Sequence, residues 1–140
     1  MKTPLILLAA LALAASPLPA KDAPAAAPAA AAAAISKNVT PDEAQKLLKD
    51  NPKVVVLDVR TPEEYALGHI AGAKNVDFKA PGFAEKIAAL DATQPYLVHC
   101  AAGGRSSKAI DLLKGKNFTA IYHLNEGFRA WEKAGKPVEK

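Results

Sequence analysis

The chain has 140 residues, half of them hydrophobic, with 18 Lys and Arg against 14 Asp and Glu for a net charge of +4. That is the length of one ordinary domain. The mild positive excess lacks any basic stripe interleaved with aromatics, which speaks against a nucleic-acid partner, and the single cysteine excludes an internal disulfide.

Residues 1–20 carry Lys2, an apolar run from Leu5 to Ala15, and then a Pro/Ser/Ala segment. This is the layout of a cleavable signal peptide, and the run is shorter than the roughly 20 residues needed to span a bilayer. Cleavage is expected after Ala20, although Leu18 is larger than such sites prefer; an uncleaved N-terminal anchor is the competing reading. No cysteine follows the run, which excludes a bacterial lipoprotein. The expected product is periplasmic or otherwise exported, monomeric and not inserted in the membrane. Residues 21–34 are Ala/Pro low-complexity sequence, read as a tether, because Pro24 and Pro28 oppose a helix and alanine buries little. Residues 35–140 then form one domain.

Within that domain, Thr40, Pro41 and Glu43 make a helix start with a capping box, and Ala44, Leu47 and Leu48 form an apolar stripe over 41–49. The unbroken β-branched run of 53–59 suits a strand buried on both faces. Thr61, Pro62 and Glu64 repeat the helix start, and Gly68 ends that helix. A short strand at 74–78, a helix over 81–90 and a strand at 95–100 follow. The next helix begins at Ser106, one of Ser106 and Ser107 serving as its cap, and closes at Gly115. A strand at 118–124 and a helix over 126–135, with Phe128 and Trp131 inward, complete the pattern. Alternating strands and helices predict an α/β fold with a parallel sheet covered on both faces.

In such a sheet, ligands bind beyond the carboxyl ends of the strands, where Cys100 sits between a strand and a helix. The stretch Cys100-Ala101-Ala102-Gly103-Gly104-Arg105 has the composition of an anion nest. Gly103 and Gly104 permit positive φ, Ala101 and Ala102 leave the cup open, and Arg105 and the helix N-terminus add positive charge. These features predict a depressed thiol pKa and a nucleophilic thiolate held in its own anion-stabilising cup. A buried, inert cysteine is the plainer alternative. Asp58 and Arg60 end the strand at 53–59 on the same sheet edge and are candidates for the rim of the site. In the plainer reading, Asp58 caps backbone N–H groups and Arg60 pairs with Glu63 or Glu64. His69 is expected to be hydrogen-bonded and structural, His123 to lie in the core or at a sheet edge, and Asn125, Glu126 and Gly127 to lie on the active edge. No cluster has metal-ligand spacing.

Three segments carry a family resemblance. The loop "CAAGGRS", the upstream "LDVRTPEEYALGHIAGAKNVDF" and the downstream "LNEGFRAWEKAGKPVE" are together similar to the rhodanese-like sulfurtransferases, in their short single-domain exported bacterial (phage-shock type) form. The resemblance implies a rhodanese-like fold with a central five-stranded parallel sheet flanked by helices on both faces. It implies that Cys100 takes a sulfane sulfur from a small anionic donor such as thiosulfate, becomes a persulfide, and passes the sulfur to cyanide or a thiol. Arg105 would be catalytic, and Ala101, Ala102, Gly103, Gly104 and Ser106 would form the persulfide loop, with no cofactor and no metal. Cysteine phosphatases and arsenate reductases of related fold use a loop one residue longer, suited to a tetrahedral oxyanion. Ala101 departs from the second basic residue that follows the cysteine in many thiosulfate-preferring relatives. A non-enzymatic persulfide carrier or anion-binding module is the alternative from another functional class.

Overall fold

The computed structural model describes residues 35–140; the expected signal peptide and tether lie outside the described residues. Five strands, β1 (Ile35–Val39), β2 (Val55–Asp58), β3 (Lys74–Asn75), β4 (Pro95–His99) and β5 (Ala120–Leu124), alternate with five helices, α1 (Pro41–Asp50), α2 (Pro62–Leu67), α3 (Phe83–Ala88), α4 (Gly104–Lys114) and α5 (Gly127–Lys133). The sheet runs β1-β5-β4-β2-β3 with every pair parallel, so β4 is central. The α/β fold expected from sequence is therefore the one observed.

The pleat divides each strand between two cores. Leu57, Val98, Cys100 and Ile121 face one layer with Phe83, Ile87, Ala109, Ile110 and Leu113 of α3 and α4. Val56, Leu97 and Leu124 face the other, with Ala44 of α1 and Phe128 and Trp131 of α5. Strands buried on both faces need no polar alternation, which is why β2 and β4 read as continuous apolar runs.

β1 was not legible as a strand. Its segment Ile-Ser-Lys-Asn-Val has four exposed residues and only Val39 buried, since it pairs β5 alone at the sheet edge. Short elements also shrink at their ends. The strand expected over 74–78 is two residues long, and the helix expected over 81–90 is Phe83–Ala88.

Both expected capping boxes form. Thr40 Oγ1 accepts from Glu43 N–H while Glu43 accepts from Thr40 N–H, and Thr61 and Glu64 repeat the arrangement at α2. The start of α4 differs from expectation. Its N-cap is Gly103 with no side-chain cap, and the helix begins at Gly104. Ser106 lies inside the first turn, where its hydroxyl is buried and turned back into the loop.

Candidate active site

The strand-to-helix turn after β4 carries Cys100 at the carboxyl edge of the central strand, 2% exposed. Two contacts impose its shape from behind. The Phe128 N–H donates to the Cys100 carbonyl at 2.8 Å and the Arg129 N–H to the Ala101 carbonyl at 3.1 Å. These are N–H groups that the first turn of α5 cannot satisfy internally. With its carbonyls drawn outward, the turn presents N–H groups inward. Gly103 N–H donates to Cys100 Sγ at 3.0 Å, and Ser106 Oγ lies 3.5 Å from the same sulfur.

Two glycines make this fit possible. Gly103 has φ +99°, and a Cβ there would lie 2.0 Å from the Asn125 carbonyl oxygen. Gly127 has φ +74°, and a Cβ would lie 2.4 Å from the Ala101 carbonyl oxygen. Gly104 differs from expectation: it is helical, with open space where a Cβ would go, so only one glycine of the pair supplies the left-handed conformation. The segment 125–127 thus backs the loop.

Burial pushes the Cys100 thiol up, but the Ser106 hydroxyl and the backbone N–H groups of Ser106, Ala102 and Gly103 together hold it below its ordinary value. Hydrogen bonds aimed at the charged form outweigh desolvation. The site is therefore built to carry negative charge on sulfur.

Arg105 points across to α2. Its Nη1 and Nη2 donate to Glu64 Oε2 and Oε1 at 2.7 and 2.9 Å. This forked pair holds the Glu64 carboxyl down to about 2, well under its ordinary value, and pushes the guanidinium pKa up. The sequence reading gave Arg105 as a free full charge beside the sulfur; the structure neutralises much of it. Glu64 serves twice, because the oxygen that takes Arg105 Nη1 also accepts the Thr61 N–H of the α2 capping box at 3.1 Å.

Asp58 and Arg60 do not form an open rim. Asp58 is 0% and Arg60 4% exposed. Arg60 Nε donates to Asp58 Oδ1 at 2.9 Å and Nη2 to Oδ2 at 2.6 Å, while Nη2 also donates to the Gly68 carbonyl at 2.7 Å and the guanidinium lies 3.9 Å from the Phe128 ring centre. The partner of Arg60 is Asp58, rather than Glu63 or Glu64. Asp58 Oδ1 also accepts the Arg60 N–H at 3.0 Å, the backbone capping expected for it. The pair is sealed because Phe128 and His99 close over it; His99 Nε2 lies 3.8 Å from Asp58 Oδ2 without a hydrogen-bond partner. Burial keeps His99 neutral by lowering its pKa. His69 stacks on Tyr65 at 3.8 Å between ring centres, with its Nδ1 3.1 Å from the Tyr65 carbonyl oxygen.

Sequence reasoning missed two residues at the site. One is Glu64, assigned to its helix cap and as a possible partner of Arg60 but not to Arg105. The other is His123, whose Nε2 lies 2.7 Å from Ser106 Oγ. Counting by twos from Ile121 puts His123 on the α4 face of the sheet, but its meeting with Ser106 depends on packing across elements.

With this geometry in view, the comparisons with known proteins are consistent. Residues 40–134 match the family model described as Rhodanese-like domain. A thiosulfate sulfurtransferase GlpE of Ectopseudomonas mendocina is 35% identical over 95 residues, 68% of this chain and 84% of the relative. A protein of the same name from Pseudomonas putida is 38% identical over 103 residues, 74% of this chain and 90% of the relative. The crystal structure of a rhodanese-related protein from Thermoplasma volcanium superposes with a TM-score of 0.65 at 28% identity, covering 74% of this chain and 97% of that one.

Proposed function

The chain belongs to the rhodanese-like domain family, and from that premise we propose that it moves sulfane sulfur from thiosulfate to cyanide or a thiol through a persulfide on Cys100. It is a sulfurtransferase of the thiosulfate sulfurtransferase type, the reaction class named for its Pseudomonas relatives. The observation that carries the finer reading is the six-residue turn whose N–H groups converge on Cys100 Sγ.

The chemistry follows from that cup. The Cys100 thiolate attacks the sulfane sulfur of thiosulfate, a new S–S bond forms, and sulfite leaves with the electron pair of the bond that breaks. The persulfide's outer sulfur lies near donors already aimed at Sγ, so negative charge there needs no reorganisation. Cyanide or a thiolate then attacks the outer sulfur, and the Cys100 thiolate departs with the bonding pair. Ala101 and Ala102 carry small side chains beside the cup, and Arg105 offers an anionic donor a charge partly held by Glu64.

We place this activity outside the cytoplasm, on the support of the charged, apolar and small-residue sequence of residues 1–20, with the domain acting as a monomer. Thiocyanate formation from thiosulfate and cyanide is the test. Wild-type protein is expected to turn over many times and Cys100→Ala not at all. A single modification of each molecule without turnover would point instead to a persulfide carrier.

A further inference from the structure

Ser106 has one hydroxyl hydrogen and three acceptors around it: Cys100 Sγ at 3.5 Å, the Gly103 carbonyl at 3.1 Å and His123 Nε2 at 2.7 Å. It cannot donate to all three. The closest is His123, whose ring is half-buried beside the loop, and Ser106 itself is fully buried. Sulfur, hydroxyl and imidazole therefore form one chain from the nucleophile to a half-buried ring, with the Gly103 carbonyl as a competing acceptor at Ser106. Building on the reading of Cys100 as the nucleophile, we propose that His123 is a positioning residue for sulfur loading that takes the Cys100 proton through Ser106.

The step balances without a co-reactant. The thiol proton passes to Ser106 Oγ as the Ser106 hydroxyl proton passes to His123 Nε2. The S–H and Ser106 O–H bonds break, a new O–H and an N–H bond form, and the products are a thiolate and an imidazolium. In that state His123 Nε2–H donates to Ser106, which frees the hydroxyl to donate to the thiolate. The imidazolium later releases its proton through the exposed side of the ring.

The surroundings suit a base. Burial and the charge of Lys114 on α4 lower the His123 pKa, so the imidazole is neutral and able to accept a proton near neutral pH. From β4, Val98 lies in register with it, while His99, one residue on, points to the opposite face of the sheet beside Asp58 and Phe128; β1 brings the uncharged Asn38 opposite. Among the described residues, the other titratable groups that reach it are His99, across the sheet, and Cys100, through Ser106.

The test is the rate of Cys100 alkylation by iodoacetamide against pH in the full chain, since only thiolate reacts. Wild type is expected to show an early rise, at pH values where the imidazole accepts the thiol proton, before the main thiol step. His123→Gln can still hydrogen-bond Ser106 but cannot become a cation. It is expected to lose the early rise and react about tenfold more slowly near pH 7, equivalent to one unit in apparent thiol pKa. Ser106→Ala should do the same, and the double variant no worse than either single one. A His123→Gln profile superimposed on wild type would overturn the proposal. Wild-type protein gives a second reading independent of that variant's folding: the NMR titration of His123 should shift in Cys100→Ala, and an unchanged titration would also overturn it. Alkylation needs no sulfur donor, so failure of thiocyanate formation with an intact two-step profile would count against the sulfurtransferase reading alone. Cyanide discharge of preformed persulfide consumes no Cys100 proton and should be unaffected by His123→Gln; an equal loss in both half-reactions would mean a distorted loop and would contradict the relay.

Discussion

Gly103 shows how one residue sets the chemistry. Its φ of +99° turns its own N–H onto Cys100 Sγ, and its missing side chain admits the Asn125 carbonyl. Gly103→Ala must either push the loop off the 125–127 segment or strain the backbone, at a cost of about 1–3 kcal/mol for the conformation alone. A lower melting temperature and slower Cys100 alkylation are expected together, because the displaced N–H no longer faces the sulfur. Gly104→Ala, at a helical position with open space, should change neither measurement appreciably. The loop's shape was thus legible in the sequence, since small residues and a glycine pair after a cysteine, between a strand and a helix, mark a turn whose N–H groups point inward. Which glycine does the turning was not, because Gly103 and Gly104 are identical in type and differ only in what packs against them. Asp58 is the complementary case. The motif placed it correctly at a strand end, but its complete burial depends on Phe128 and His99, which arrive from distant segments.

At the scale of elements, α2 is tied to the catalytic loop by the Glu64–Arg105 pair. The Arg105 guanidinium holds the folded Glu64 carboxyl down to about 2, below its ordinary value, so it contributes stability that is present above its unfolded pKa and lost as pH falls through the folded one. Glu64→Gln preserves the capping box, since glutamine also closes one, but removes the charge. The stability gap between wild type and Glu64→Gln should therefore be full near pH 6, shrink below about 4.5, and vanish near 2, as read by urea unfolding at each pH. The pair is partly exposed, so the gap should be small. The same substitution releases Arg105 towards an anionic donor. The apparent KM for thiosulfate is expected to fall about fivefold, the equivalent of about 1 kcal/mol, with a stronger dependence on salt. The α2 capping box was plain in the sequence because Thr61, Pro62 and Glu64 stand at fixed local spacing. The ion pair was not, because its partners are 41 residues apart.

Across the whole molecule, the central strand carries the site, and both cores brace that strand. Leu97 faces the α1/α5 layer and Val98 the α3/α4 layer, both with no exposure. Leu97→Ala should cost about 2–5 kcal/mol in urea unfolding, as a buried large-to-small change does. The sealed Asp58–Arg60 pair is a sharper case. Asp58→Asn leaves a buried guanidinium without its counter-charge, with an expected loss of about 3–5 kcal/mol. Sulfur transfer per folded molecule should change little, because neither residue bonds the sulfur. Continuous apolar strands made the parallel sheet readable, whereas β1, mostly exposed and paired on one side, left no periodic signature.

All of these scales meet at the Cys100 sulfur, and mass spectrometry after exposure to thiosulfate, followed by a cyanide chase, tests it most directly. The expected result is one added sulfur atom localised to Cys100, removed by cyanide as thiocyanate, and absent from Cys100→Ala. A protein that gains no sulfur while Cys100 alkylates readily would contradict transfer from thiosulfate through a Cys100 persulfide.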